Sequence, residues 1–154
     1  MAETIEGRLA ALGVSLPVAA TPAANYVPFM RSGNLIFTAG QLPLNKDKLA
    51  ASGLVGRDLD TATAQEAAKF CAINILAQAK AALGDLERIR KLVKITVFVA
   101  STSDFTEQHL VANGASDFFV SALGERGKHA RSAVGTTSLP LNAAVEIEAI
   151  IETD

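Results

Sequence analysis

The residues whose types best suit chemistry lie near the end of the chain: Arg131, Glu146 and Glu148. An arginine fork holds a carboxylate through two parallel hydrogen bonds, and a glutamate can activate water or shuttle a proton. Two apolar, alternating segments carry them, residues 131–137 and 144–151, around a loop containing Leu139-Pro140. If these strands pair as a hairpin with Thr137 facing Ala144, cross-strand partners share a face. One face then holds Val134, Val145, Ile147, Ala149 and Ile151, and the other holds Arg131, Ala133, Gly135, Glu146 and Glu148. A slip of one residue would bury the charges. In this register Arg131 and Glu146 stand about 13 Å apart along the strand. That gap suits a small bound molecule, or a neighbouring subunit that brings the groups closer. Spacing alone leaves an equal alternative, in which the charges form interface ion pairs and hold no substrate.

The elements that must position these groups follow from periodicity. Ile5, Leu9 and Leu12 recur at helical spacing before Gly13, which predicts a short helix over 3–12, and Pro17 and Pro22 mark a linker. Residues 27–31 and 34–38 read as strands about Ser32-Gly33, with Pro28 placing the first at an edge. Residues 41–60 read as a loop with an extended piece near Leu54-Val55. Thr63-Ala-Gln-Glu66 is a capping box, and a helix of about 20 residues is expected from there to Leu83, before Gly84. The β-branched run 92–99 is a central strand, and a second cap at 104–107 opens an amphipathic helix to Gly124, in which Gly114 permits close packing. Two helices covering one face of a mixed sheet are the simplest layering, an α+β arrangement whose open face needs a partner.

The 154 residues suit a single domain over 1–154, with an N-terminal helix and linker over 1–24 and the core over 25–154. A net charge of −2, no Trp and one Tyr give no footprint for phosphates or bases, so nucleic acid is not an expected partner despite the basic cluster from Arg126 to Arg131. No apolar run reaches membrane-spanning length, and the acidic start Met1–Glu6 lacks the pattern of a secretory signal, which makes the cytoplasm the default compartment. Two His and one Cys are too few for a dedicated metal site, so no metal is expected. Cys71 reads as a buried small hydrophobe, Asn74 and Asn113 as residues that cap or bridge helices, and His129 as a residue on the loop entering the penultimate strand.

Several strings occur in order and with matching spacing over residues 26–152: Ser32-Gly-Asn-Leu-Ile-Phe-Thr-Ala-Gly-Gln-Leu-Pro43, Val93-Lys-Ile-Thr-Val-Phe-Val99, His129-Ala-Arg-Ser-Ala-Val-Gly135, Leu139-Pro140 and Val145-Glu-Ile-Glu-Ala149. Together they resemble the reactive intermediate (enamine/imine) deaminase family, also known as L-PSP endoribonuclease, in a longer-chain branch. The resemblance implies a chorismate-mutase-like fold, a homotrimer with three clefts between subunits, and hydrolysis of 2-aminoacrylate-type enamines and imines to 2-keto acids and ammonia without a cofactor. A trimer holding a small carboxylate-bearing ligand without turnover, or an endoribonuclease, are the alternatives. By position Arg131 matches the substrate-carboxylate arginine, Glu146 the glutamate that acts on water, Tyr26 a cleft tyrosine and Gly40 a backbone contact. Ala39 stands where the family places a serine and Ala133 where it places a cysteine, so both remove polar groups from the expected cleft.

Overall fold

Asp60 sets the start of the longest helix. In a computed structural model that describes residues 3–22 and 24–154, its side chain accepts the Thr63 N–H at 2.8 Å from an extended backbone, and α2 runs Thr61–Leu83. The reading of Met1 and Ala2 as part of an acidic start lies outside the described residues. The expected capping box at Thr63 is therefore displaced, because Asp60, immediately before the first helical residue, caps at least as well as threonine. Gly84, at φ 77°, ends α2 as expected. The shorter α1, Ile5–Ala11, is capped by Thr4 and buries Ile5 and Leu9. The third helix, α3, spans Gln108–Leu123. Its cap position is Glu107, which makes no side-chain cap bond, so the cap expected over 104–107 does not form.

Strands β1 (Phe29–Ser32) and β2 (Leu35–Thr38) form the expected hairpin, with β1 at the sheet edge that Pro28 suggested. The stretch read as a loop holds a two-stranded ribbon, β3 (Leu44–Asn45) and β4 (Lys48–Leu49), turning through Lys46 and Asp47 at φ 52° and 67°. The extended piece near Val55 makes single bridges to Leu59 and Ser101. Strands β5 (Ile89–Ala100), β6 (Ala130–Thr136) and β7 (Val145–Thr153) complete a mixed five-stranded sheet of order β1-β2-β7-β5-β6.

The last two strands are not a hairpin, which corrects the register expected from the sequence. β6 pairs in parallel with β5, β7 pairs antiparallel with β5 and β2, and β5 therefore separates them. The segment β5-α3-β6 is a crossover unit, the connection that parallel neighbours require. Register then fixes the faces, since opposed residues point the same way. Arg131 stands beside Ile95 and Ala149, Ala133 beside Val97 and Ile147, and Gly135 beside Val99 and Val145. These rows belong to the face whose isoleucines and valines join the core under α2 and α3. Val134, Phe98 and Glu146 form a row on the other face. The expected grouping of Arg131 with Glu146 is overturned: the two residues lie on opposite faces of one sheet.

The helices cross closely. A Cβ on Gly114 would strike the backbone carbonyl of Gln65, and Gln65 Nε2 donates to the Leu110 carbonyl at 2.8 Å across the same crossing. The opposite sheet face leaves Met30, Phe37 and Val134 at 60%, 41% and 44% exposure, so apolar surface faces outward where a globule of this size would cover it.

Candidate functional site

Glu146 is the second residue of β7, facing away from the helices. Beside β7 runs the segment after β2, where the Gln41 N–H donates to the Ile147 carbonyl at 2.8 Å and the Ile147 N–H returns a bond to Gln41 at 3.1 Å. That pairing presses Gly40 against the carboxyl group: a Cβ there would lie 2.8 Å from Glu146 Cδ and 3.0 Å from Oε1. Only glycine lets the backbone come this close. Glu146 is half-buried, with no hydrogen-bond or ion-pair partner among the described residues. Burial first, and the like charge of Glu148 second, raise its carboxyl above the ordinary carboxylate range. Such a carboxylate is a stronger base than one in water.

Tyr26, Ala39, Gly40 and Glu146 line one cavity of about 300 Å³, together with Leu141 and Pro140. Four of the sequence-predicted residues are thus brought together. The sequence reading missed the far wall, where Ala20, Thr21 and Pro22 of the linker close the cavity. The buried Gln78 holds this strap by donating to the Ala20 carbonyl at 2.9 Å. Asn74 likewise ties α2 to the cavity's approach, donating to the carbonyls of Leu42 and Leu44 at 3.3 and 3.0 Å.

Arg131 and Ala133 are not in that cavity. Arg131 projects from the sheet edge onto α3, where Nη1 donates to Asn113 Oδ1 at 2.9 Å and to Ser116 Oγ at 3.0 Å, and Nη2 donates to the His109 carbonyl at 3.0 Å. Of the five N–H donors on a guanidinium, two are left without a partner among the described residues, the number that a carboxylate accepts side by side. Ala133, two residues along the same face, packs against the core. A legible signal for this clamp was overlooked: Asn113 and Ser116, three residues apart, put two polar side chains on one helix face, whereas His109 contributes only its backbone carbonyl.

Among the described residues no group of three or more His, Cys, Asp or Glu side chains could hold a metal ion, and no helix is long and apolar enough to cross a membrane. The candidate residues therefore lie in two places, a half-buried carboxylate beside a cavity and an arginine fork at the sheet edge, which are candidate half-sites.

A sheet of this order backed by two helices, with these half-sites, defines a chorismate-mutase-like α+β protein. Residues 6–152 match the family described as YjgF/chorismate mutase-like, putative endoribonuclease, and the chain belongs to that family. It is 47% identical to Protein TCP17 of Trypanosoma cruzi, over 99% of this chain and 98% of that one. The crystal structure of a protein of unknown function from Agrobacterium tumefaciens superposes with a TM-score of 0.93 at 61% identity, covering 97% of this chain and 92% of the other. A relative from Dermatophagoides farinae, named 2-iminobutanoate/2-iminopropanoate deaminase, is 27% identical over 90% of this chain and 93% of its own.

Proposed function

We propose that this chain hydrolyses reactive enamine and imine intermediates of the 2-aminoacrylate type to 2-keto acids and ammonia, in clefts that form between copies of the chain. The observation that carries the reading is the Arg131 guanidinium, held by three bonds to α3 with two donors left for a carboxylate. Because Glu146 faces the other side of the sheet, one chain offers each half-site but not both together, and the exposed apolar sheet face gives a second copy a reason to dock. A homotrimer, as in the family resemblance, brings Arg131 of one copy to Glu146 of the next.

In this cleft the substrate carboxylate rests on Arg131 and its imine carbon faces Glu146. Glu146 accepts a proton as water adds to the imine carbon, which forms a carbinolamine. It then returns that proton to the nitrogen and, as the carbon–nitrogen bond breaks, takes the proton of the carbinolamine hydroxyl, so that ammonia leaves and the carbonyl of the keto acid forms. The raised proton affinity of Glu146 suits both transfers. Ala39 leaves Glu146 and Tyr26 as the ionisable groups on the cavity wall, so the water-activating work falls on Glu146.

The relative named as a deaminase supports this chemistry by kinship. Ribonuclease activity is less well supported, because the net charge is −2 and the neighbouring cations of the basic cluster are paired, Arg126 with Glu87 and Lys128 with Glu125. The test is to generate 2-aminoacrylate with a serine dehydratase and follow pyruvate. The protein should accelerate its appearance, and Arg131→Ala should not. No acceleration over buffer, or equal acceleration by the variant, contradicts the proposal.

A further inference from the structure

His129, a histidine whose type invites chemistry but whose position before β6 favours a loop residue, joins a hydrogen-bond chain that begins at Arg131. Its Nδ1 is 2.6 Å from the Gly127 carbonyl, which can only accept, so Nδ1 carries a proton. Its Nε2 lies 2.9 Å from Ser116 Oγ. In the neutral imidazole that nitrogen accepts, so the Ser116 hydroxyl donates to it. The hydroxyl's lone pair then faces Arg131 Nη1, which donates to it at 3.0 Å. With the imidazole neutral, each donor in the series Arg131, Ser116, His129 meets an acceptor, and the series ends on the Gly127 carbonyl. The Phe119 ring stands edge-on to the imidazole at a centroid distance of 6.0 Å and limits its rotation.

We propose that Ser116 and His129 are positioning residues for the carboxylate-binding arginine: His129 fixes the Ser116 hydroxyl as an acceptor toward Arg131, and this aims the two remaining guanidinium donors at the substrate. The proposal rests on the reading of Arg131 as a carboxylate anchor. Neither residue touches the ligand. Without His129, the Ser116 hydroxyl loses the acceptor that directs its proton away from the guanidinium, and the fork is free to turn about Asn113 and the His109 carbonyl. The network acts on the carboxylate contact and leaves Glu146, on the other sheet face, untouched.

The experiment measures binding of pyruvate and of its uncharged analogue pyruvamide by calorimetry, with imine turnover in parallel, for wild type, Arg131→Ala, Ser116→Ala, His129→Ala and His129→Gln. Ser116→Ala and His129→Ala should weaken pyruvate binding by roughly tenfold, about the worth of one charge-assisted hydrogen bond, and leave pyruvamide binding unchanged. KM should rise by the same factor while kcat changes little. His129→Gln, whose side-chain oxygen can stand where Nε2 accepts, should restore wild-type binding. A general loss of structure would move both ligands together and would not be rescued by glutamine, and that outcome overturns the proposal. So does wild-type pyruvate affinity in Ser116→Ala when Arg131→Ala has lost it, although the anchor reading then survives. Undiminished binding by Arg131→Ala removes the anchor itself.

Discussion

Adding one methyl group at Gly40 is the sharpest perturbation of Glu146 that spares the fold. The new Cβ would stand 2.8 Å from Glu146 Cδ, 3.0 Å from Oε1 and 3.1 Å from Cγ, whereas ordinary contact begins near 3.4 Å. The carboxyl group must therefore retreat by about 0.6 Å or rotate, since the three nearest atoms all belong to its flexible side chain. No backbone atom is among them, and Gly40 lies outside the left-handed region, so alanine is conformationally tolerated. The lower backbone freedom of alanine in the unfolded chain is worth about 0.4–1 kcal/mol in its favour. The melting temperature of Gly40→Ala should thus stay within about 4 °C of wild type. A displacement of about 1 Å at a reacting group can cost 100-fold, so kcat on 2-aminoacrylate should fall by at least about tenfold. Coupled pyruvate formation and a thermal melt on the same preparation read both quantities. Unchanged kcat at unchanged melting temperature would show that the position of Glu146 does not govern turnover.

Gly114→Ala should do the reverse. Its Cβ meets the Gln65 backbone at the α2–α3 crossing, which cannot step aside, so a loss of about 1–3 kcal/mol in denaturant unfolding is expected, and wild-type stability would refute the close-packing account. The acid limb of the rate profile should lie above the ordinary glutamate value of about 4.3 and move to lower pH in Glu148→Gln, because that change removes a like charge; a limb that stays in place assigns it to another group. Glu146 also links pH to stability. Its folded value is raised, so its contribution is fully favourable below the unfolded value and is lost as pH rises through the folded one. Glu146→Gln should therefore melt above wild type at pH 7 and converge with it near pH 4, and a constant gap would contradict the burial effect. Cys71 is fully buried, with its thiol pushed well above the ordinary range by burial and then by Glu146, so thiol reagents should label it only after unfolding.

Much of the fold was legible because local signals agreed with tertiary packing. Gly84 ends α2, Pro28 marks an edge strand, and the apolar run 92–99 lies inside the sheet with neighbours on both sides. The error came from joining the last two strands by the shortest connection. The order strand, helix, strand over 89–136 carried the contrary signal of a parallel crossover, but alternation within a strand does not say which neighbour it pairs with. Face assignment on β6 failed for a related reason. Two of its helix-side positions, Ala133 and Gly135, are small, and a Cβ on Gly135 would stand 2.8 Å from Gln108 Nε2 and 2.9 Å from Ser101 Oγ, while the larger Val134 faces outward. Size therefore pointed to the wrong face. Motif and type named the candidate residues, whereas the placement of Arg131 and Glu146 on opposite faces of the sheet was not legible from them.

That separation is the central claim, and subunit mixing tests it most directly. Arg131→Ala and Glu146→Gln chains, each inactive on 2-aminoacrylate alone, should regain activity when coexpressed, since about one quarter of the clefts in randomly mixed trimers would combine a native Arg131 with a native Glu146 from the next chain. Turnover by wild type with no recovery in the mixture would contradict a cleft shared between subunits.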